Sequence, residues 1–294
     1  MTEQLTFTLR GGMQIPAVGF GTFLIAPQET AGAVRLALQN GYRHIDTAMA
    51  YRNEREVGQG IAESGVPRDD IFVTTKLWQG GYQGEPVLSK AQVKAAFAHE
   101  LDIMGLEQLD LYLIHGPFGG HERLAQWEAL LELKAEGKVR AVGVSNYNIS
   151  HLEEIRLAGL ELPEVNQIEL HPWSQKPSLV AYLREHAILP VAYSSLAPLS
   201  NWRGSAVNMS GKGDQRSDVF KRYAEKYGVS EAQFLLRWGI DSGYPVLPKS
   251  LHSERQKENL AILNFRISDE DLEALKKEDR GSGFAWGDDP TLAQ

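Results

Sequence analysis

The sequence predicts an α/β fold, a (β/α)8 TIM barrel with an N-terminal β-hairpin closing the barrel floor. Three observations carry that expectation. Eight short β-branched or apolar runs alternate with helix-period segments along the chain, a pattern that implies parallel strands joined by crossovers. Eight units favour closure into a barrel over an open doubly wound sheet. The runs are apolar early and polar at their C-terminal ends, which gathers reactive groups at one rim. The 294 residues also contain no repeat, low-complexity tract or linker, so a single domain over 1–294 is expected although length alone is compatible with two.

Residues 6–9 followed by Arg10-Gly11-Gly12-Met13 read as the hairpin, because paired glycines supply the positive φ of a tight turn. Strands are expected at 15–22, 42–48, 71–77, 109–115, 139–146, 165–171, 189–195 and 244–250. Helices are expected at 29–39, 54–63, 91–104, 122–135, 150–158, 177–186 and 231–241. After the seventh strand, 197–217 is long and rich in Gly, Ser and Asn, as a lid over cofactor and substrate would be. The stretch 280–294, with Gly281-Ser282-Gly283, reads as a mobile C-terminal tail.

Composition narrows the function. Lys plus Arg number 30 against 38 Asp plus Glu, a formal charge of -8, which disfavours nucleic acid or an anionic membrane as partner and leaves any anion to a local basic cluster. The absence of cysteine excludes disulfides, thiolate chemistry and cysteine zinc sites. No basic segment followed by an apolar stretch opens the chain, and no run of about 18 apolar residues occurs, so a cytoplasmic protein is expected.

Strand two ends in Asp46 with Tyr51 just beyond, strand three in Lys76, and strand four in His115. Singly each has a plain structural reading: a turn or cap aspartate, a packing tyrosine, a satisfied core histidine. Lys76 between apolar neighbours needs a carboxylate if buried, and Asp46 on the adjacent strand supplies one. Together the four make a donor for a developing alkoxide. A phenol with reference pKa near 10 is a poor acid, but a nearby ammonium favours its ionised form, so Tyr51 is expected to be acidified as the general acid. Neutral His115 would orient the substrate oxygen.

A second polar group points to a cofactor. Ser145 and Asn146, with Gln167, offer hydrogen bonds to a carboxamide, and Tyr193 offers a ring for stacking, as nicotinamide requires. Lys249 and Ser250 precede Ser253-Glu254-Arg255-Gln256, where Ser253 and Gln256 read as a capping box. Free amides at that helix start, with Lys249 and Arg255, form an anion site suited to a 2′-phosphate. No G-x-G-x-x-G opens a helix after a strand, so a Rossmann site is not indicated.

From Gly11 to about Leu275 the residues resemble the aldo-keto reductase family, specifically bacterial-type NADPH-dependent members similar to diketogluconate reductases. The motifs are Gly19-Phe20-Gly21-Thr22; Asp46-Thr47-Ala48 with Tyr51, Asn53-Glu54 and Val57-Gly58; Leu113-Ile114-His115 with Pro117; Val142-Gly143-Val144-Ser145-Asn146; Asn166-Gln167-Ile168-Glu169-Leu170-His171-Pro172; and Pro248-Lys249-Ser250 with Arg255, Glu258 and Asn259. The resemblance implies NADPH-dependent reduction of aldehydes and ketones, with Asp46, Tyr51, Lys76 and His115 catalytic and Tyr51 the proton donor. It implies that Ser145, Asn146 and Gln167 hold the carboxamide, that Tyr193 stacks, and that Lys249, Ser250, Arg255 and Asn259 grip the adenosine phosphate. Gly21, Thr22, Asp46, Ser194, Ser195, Leu196 and Glu258 complete the implied cofactor contacts. A monomer acting on a small-molecule carbonyl is the implied form.

Departures concern the pocket. Gly116 and Phe23 stand where the family usually carries Trp, and His252 where it often carries Thr. Phe23, Trp78, His115, Gly116 and Phe118 are the expected substrate contacts, with Trp173, Phe284 and Trp286 further candidate lining, and Gly116 suggests room for a bulky substrate. Three other readings compete: a Schiff-base lyase using Lys76, a metal-dependent hydrolase using His44, Asp46, His115 and His171, and a sensor that binds NADPH without turnover.

Overall fold

The chain opens with a hairpin of β1 (Thr6–Thr8) and β2 (Gln14–Pro16), paired antiparallel with Phe7 opposite Ile15. Gly12 turns it at a φ of 87°, a conformation that costs glycine little. The computed structural model describes residues 5–199, 218–281, 285 and 289–293. The expected lid therefore lies, from residue 200 on, outside the described residues, as do Phe284 and Trp286.

Beyond the hairpin, β3 (Phe20–Gly21), β4 (His44–Asp46), β5 (Phe72–Leu77), β6 (Leu109–Ile114), β7 (Val139–Ser145), β8 (Val165–Glu169) and β9 (Leu189–Tyr193) form a parallel sheet in sequence order. The expected eighth strand is reduced to one residue. Val246 makes parallel bridges to Val18 on one side and to Ala192 on the other, closing the barrel. Pro245 and Pro248 flank it, and proline cannot donate to a ladder, so the segment supports bridges rather than a strand. Its carbonyls still serve: Ala192 N donates to Pro245 O, Gly19 N to Val246 O, and Gly21 N to Pro248 O. The expected first strand is likewise split, its first half pairing in the hairpin and its second in the barrel.

The helices are α1 (Pro27–Gln39), α2 (Glu54–Ala62), α3 (Lys90–Met104), α4 (Arg123–Ala135), α5 (Ile149–Leu157), α6 (Pro177–Glu185), α7 (Asp218–Tyr227), α8 (Glu231–Asp241), α9 (Ser253–Leu260) and α10 (Asp269–Leu275). Local signals start several of them. Pro27 and Pro177 occupy first-turn positions where no N–H is needed, and reciprocal capping boxes join Ser89 with Gln92 and Ser230 with Gln233.

Strand alternation divides the core. Outward residues such as Val73, Leu77, Tyr112, Ile114 and Val142 pack with the helices. Inward residues Phe72, Leu111, Leu113, Ala141, Val165 and Val191 fill the barrel together with Leu9 and Ile15 of the hairpin. The hairpin is thus part of the interior packing, and the C-terminal strand ends are the barrel's functional rim.

Ile15 is fully buried in this interior cluster. Ile15→Ala is expected to destabilise the fold by about 3 kcal/mol, read as a lower urea midpoint with an unchanged slope.

Candidate active site

Alternation aims Asp46, Lys76 and His115 inward at the ends of three adjacent strands, β4, β5 and β6, whose parallel register sets Ile45 beside Val73 and Lys76 beside Leu113. Lys76 is 1% and Asp46 3% exposed. A charge buried this deeply needs a full set of partners. Lys76 Nζ donates to Asp46 Oδ1 at 2.6 Å, to the Thr47 carbonyl at 2.8 Å and to Tyr51 Oη at 3.3 Å. The four expected residues are therefore brought together, with the His115 ring 5.7 Å from that of Tyr51.

Tyr51 sits on the 3-10 turn Met49–Tyr51 between β4 and α2, and two neighbours in sequence pin that loop. Asn53 Nδ2 donates to the carbonyls of Thr22 and Ile25, while its Oδ1 accepts from Thr47 Oγ1. Glu54, the first residue of α2, accepts from Thr75 Oγ1 on the outer face of β5. Thr75 and Lys76 are adjacent, so the same strand holds the loop from outside and Tyr51 from inside.

Burial sets the protonation states. It pushes Tyr51 up, outweighing the Lys76 ammonium that pulls it down, so the expected acidification does not occur and the phenol keeps its proton. Burial pushes Lys76 down, but the charge of Asp46 and the hydrogen bonds with Asp46 and Tyr51 more than restore it, leaving it raised. A lysine held protonated is a poor nucleophile, which weighs against the Schiff-base reading. His115 is pushed well below its usual value by burial and by Lys76, hence neutral.

The network continues around the rim. Asp46 Oδ2 accepts from Gln167 Nε2 at 2.7 Å, and Ser145 Oγ donates to the Gln167 carbonyl at 2.8 Å. Asn146 Nδ2 donates to Ser145 Oγ and the His115 carbonyl, and its Oδ1 accepts from Tyr193 Oη at 2.7 Å. Ser145, Asn146, Gln167 and Tyr193 thus converge as expected. Ser195 Oγ lies 3.5 Å from the Ala192 carbonyl, and Ser194 holds a φ of 53°. Thr22 donates through its amide and its hydroxyl to the Asp46 carbonyl, while Gly21 approaches the Leu247 carbonyl so closely that a Cβ would stand 3.0 Å from it.

The phosphate end differs from expectation in one respect. His252, not Ser253, is the N-cap of α9, and its side chain makes no cap hydrogen bond. Ser253 and Gln256 instead turn to Asn40 of the α1 C-cap, and Gln256 Nε2 donates to the Ser250 carbonyl. The sequence window could not show this partner, which lies 213 residues away. Ser250 Oγ accepts from His252 N, and the buried Asn259 hydrogen-bonds Tyr42. Lys249 and Arg255 are exposed, and neither pairs with a carboxylate among the described residues. Glu258 is half-buried beside them. Amide and hydroxyl donors at one end and free cations beside a helix N-terminus at the other fit a nicotinamide dinucleotide phosphate.

The pocket wall is corrected. The Phe118 ring lies over Gly116, where a Cβ would come within 2.4 Å of Phe118 Cε2, so the space suggested for a bulky substrate is already filled. Phe23 packs on Tyr51 with centroids 5.0 Å apart, and Trp78 meets His115 edge-on at 5.4 Å. Trp173 is instead engaged by Arg280, whose guanidinium carbon is 3.6 Å from the ring centroid. The tail expected to be mobile carries contacts to the rim loops: Ala285 N donates to Glu169 Oε2, Lys176 pairs with Asp289 at 2.8 Å, and Asn148 Nδ2 donates to the Thr291 carbonyl. For the metal reading, His44 contacts Thr74 and His171 contacts Glu169, and among the described residues no three such groups gather as metal ligands would.

Sequence reading missed a pair of buried acids behind the site. Glu54 and Glu100, 3% and 1% exposed, lie between strands and helices, with Tyr112 Oη donating to Glu100. Their signal was weak, because Glu54 stands in a family motif with no role attached and Glu100 is one glutamate on an otherwise ordinary helix. Burial pushes Glu54 from 4.5 up to about 7 against the pull of Thr75 and Lys76, and burial with the charge of Glu54 raises Glu100. The folded protein thus binds the Glu54 proton more tightly than the unfolded chain does. The associated stability is full below pH 4.5 and is lost as pH rises through about 7. Glu54→Gln is expected to flatten the urea midpoint over that window and to gain on the wild type at pH 8; an unchanged slope would show that Glu54 does not titrate there.

The Aldo/keto reductase family model matches residues 13–280. The chain is 39% identical over 279 residues to a 9,11-endoperoxide prostaglandin H2 reductase of Trypanosoma cruzi, covering 94% of this chain and 93% of that one. It is 38% identical to a glyoxal reductase of Bacillus subtilis, over 94% of each. A crystal structure of a Bombyx mori aldo-keto reductase in complex with NADP superposes with a TM-score of 0.84 at 32% identity, covering 96% of this chain and 95% of that one.

Proposed function

This chain belongs to the aldo/keto reductase family and is an NADPH-dependent oxidoreductase that reduces carbonyl compounds; we propose that Tyr51 is the proton donor of that reaction. One observation carries the assignment, the 3.3 Å contact from Lys76 Nζ to Tyr51 Oη. An ammonium can only donate, so the phenol oxygen accepts and its own hydrogen turns toward the mouth, where a carbonyl oxygen can take it. Burial keeps that proton in place at neutral pH. Lys76 therefore acts as the phenolate develops, which is transition-state rather than ground-state stabilisation. Asp46 holds Lys76 charged and fixed, and neutral His115 steers the substrate oxygen.

NADPH, when bound, supplies hydride to the carbonyl carbon. Tyr193 would carry its ring, Ser145, Asn146 and Gln167 its carboxamide, and Lys249, Ser250 and Arg255 its 2′-phosphate, with Gly21, Thr22, Ser194, Ser195 and Leu196 along its length. Gln167 already bonds Asp46, so the same side chain would touch cofactor and catalytic pair. We further infer a cytoplasmic monomer acting on a small carbonyl compound rather than on nucleic acid or an anionic membrane, which the net charge of -8 disfavours. No described helix is long and apolar enough to cross a membrane.

Tyr51→Phe is expected to bind NADPH normally while turnover of aldehydes falls about 10²- to 10⁴-fold, followed as NADPH oxidation. Retention of most turnover would overturn the assignment; wild-type protein that binds NADPH yet turns over no carbonyl would support the sensor reading. Neutralising Lys249 and Arg255 together should weaken NADPH far more than NADH, and equal losses would show that they do not read the 2′-phosphate.

A further inference from the structure

We infer that Glu85 is a positioning residue that fixes the Trp78 wall of the pocket against His115 and so sets how tightly flat aromatic carbonyls bind; this rests on the reductase reading above. The indole follows β5 directly and is half-buried. It packs edge-on to His115 at 5.4 Å, to Tyr82 at 5.9 Å and, tilted, to Phe118 at 6.4 Å. Those ring contacts fix its faces but not its rotation, because edge-to-face pairs tolerate a range of angles. Its one polar atom decides the rest: Trp78 Nε1 donates to Glu85 Oε2 at 2.6 Å. A charge-assisted bond of that length is the stronger kind.

Glu85 lies seven residues on and returns only because the intervening chain is tightly folded. Gly80, Gly81, Gln83 and Gly84 all hold positive φ, from 51° to 85°. A Cβ at Gly80 would stand 2.0 Å from the Pro86 carbonyl, and one at Gly81 1.9 Å from the Phe118 carbonyl, so no side chain fits either place. Gly81 N donates to the Glu85 carbonyl and Glu85 N to that of Tyr82, closing the loop on itself. Buried Gln126 of α4 clamps the base, donating to the carbonyls of Gln79 and Leu88. The loop backbone is thus held from below, and the exposed Glu85 carboxylate joins its tip to the indole. Glu85 forms no ion pair among the described residues, which leaves its carboxylate to the indole.

The test is steady-state kinetics of the holoenzyme with a flat aromatic aldehyde, 4-nitrobenzaldehyde, against a three-carbon aliphatic one, propanal. Glu85→Ala should raise KM for the aromatic substrate about fivefold, with kcat and the propanal KM within about twofold. Glu85→Gln, whose amide oxygen still accepts from the indole, should restore wild-type values. Trp78→Phe should raise the aromatic KM at least as much as Glu85→Ala, and the double variant should be no worse than Trp78→Phe alone, since Glu85 acts only through the indole. An unchanged aromatic KM in Glu85→Ala, equal damage in Glu85→Gln, additivity in the double variant, or a uniform fall in kcat on both substrates would each overturn the inference. Should Glu85→Ala not fold, Trp78→Phe against Glu85→Gln makes the same comparison. Absence of wild-type turnover would instead fail the reductase reading.

Discussion

The contact on which the rest of the site depends is the ion pair between Lys76 and Asp46 inside the barrel mouth. Withdrawing two charges from water costs several kcal/mol per ion, and the pair is tolerable only if its remaining hydrogen-bonding capacity is met. It is met here by the Thr47 carbonyl, Tyr51 and Gln167. Removing one partner would leave the other charged and buried, at a cost of about 3–5 kcal/mol. The pair therefore locks β4 and β5 together at their ends and holds the Tyr51 loop over them. Through Gln167 of β8 the same chain of hydrogen bonds reaches Ser145 and Asn146 of β7 and Tyr193 of β9, so the groups proposed for catalysis and for the cofactor form one network.

Such a pair needs a dry and rigid interior beneath it. The hairpin contributes Leu9 and Ile15 to the barrel cluster, and above them His44 and Thr74 bond one another at 2.9 Å. His44 is pushed down to about 4, chiefly by burial, so it adds no charge below the ion pair. Closure at Val246 is equally necessary. Its bridges and the Gly21-to-Pro248 bond carry the chain past β3, which sets Lys249 and Ser250 close to Gly21 and Thr22 and joins the two ends of the proposed cofactor site.

The strand that supplies Lys76 inward supplies Thr75 outward, and there Glu54, Glu100 and Tyr112 form a second polar cluster. Two carboxyls in so little water cannot both ionise cheaply, and the proton held by Glu100 limits the charge that the cluster tying the Tyr51 loop to β5 adds behind the ion pair. The substrate side is built differently, from aromatic rings. Phe118 covers Gly116, and Trp78 contacts both Phe118 and His115, so the phenylalanine ring occupies the space that the glycine leaves.

Alternating apolar runs and helix-period segments determined, by themselves, the barrel, the order of strands β3 to β9 and the inward rim positions of Asp46, Lys76 and His115. Those features are legible because period 2 and period 3.6 are written in neighbouring residues, and because a polar residue ending an apolar strand has one side of the sheet to face. The polar set Ser145, Asn146 and Gln167 was legible for the same reason. Tertiary structure alone decided that one residue between two prolines closes the barrel, and that Ser253 and Gln256 bond Asn40 rather than cap a helix. It also decided that Phe118 fills the room over Gly116 and that Glu85 returns to Trp78. Tyr51 is the sharpest case: sequence names its lysine neighbour, but the sign of its shift depends on how much water closure removes, a property of segments far apart in the chain and of no single window within it.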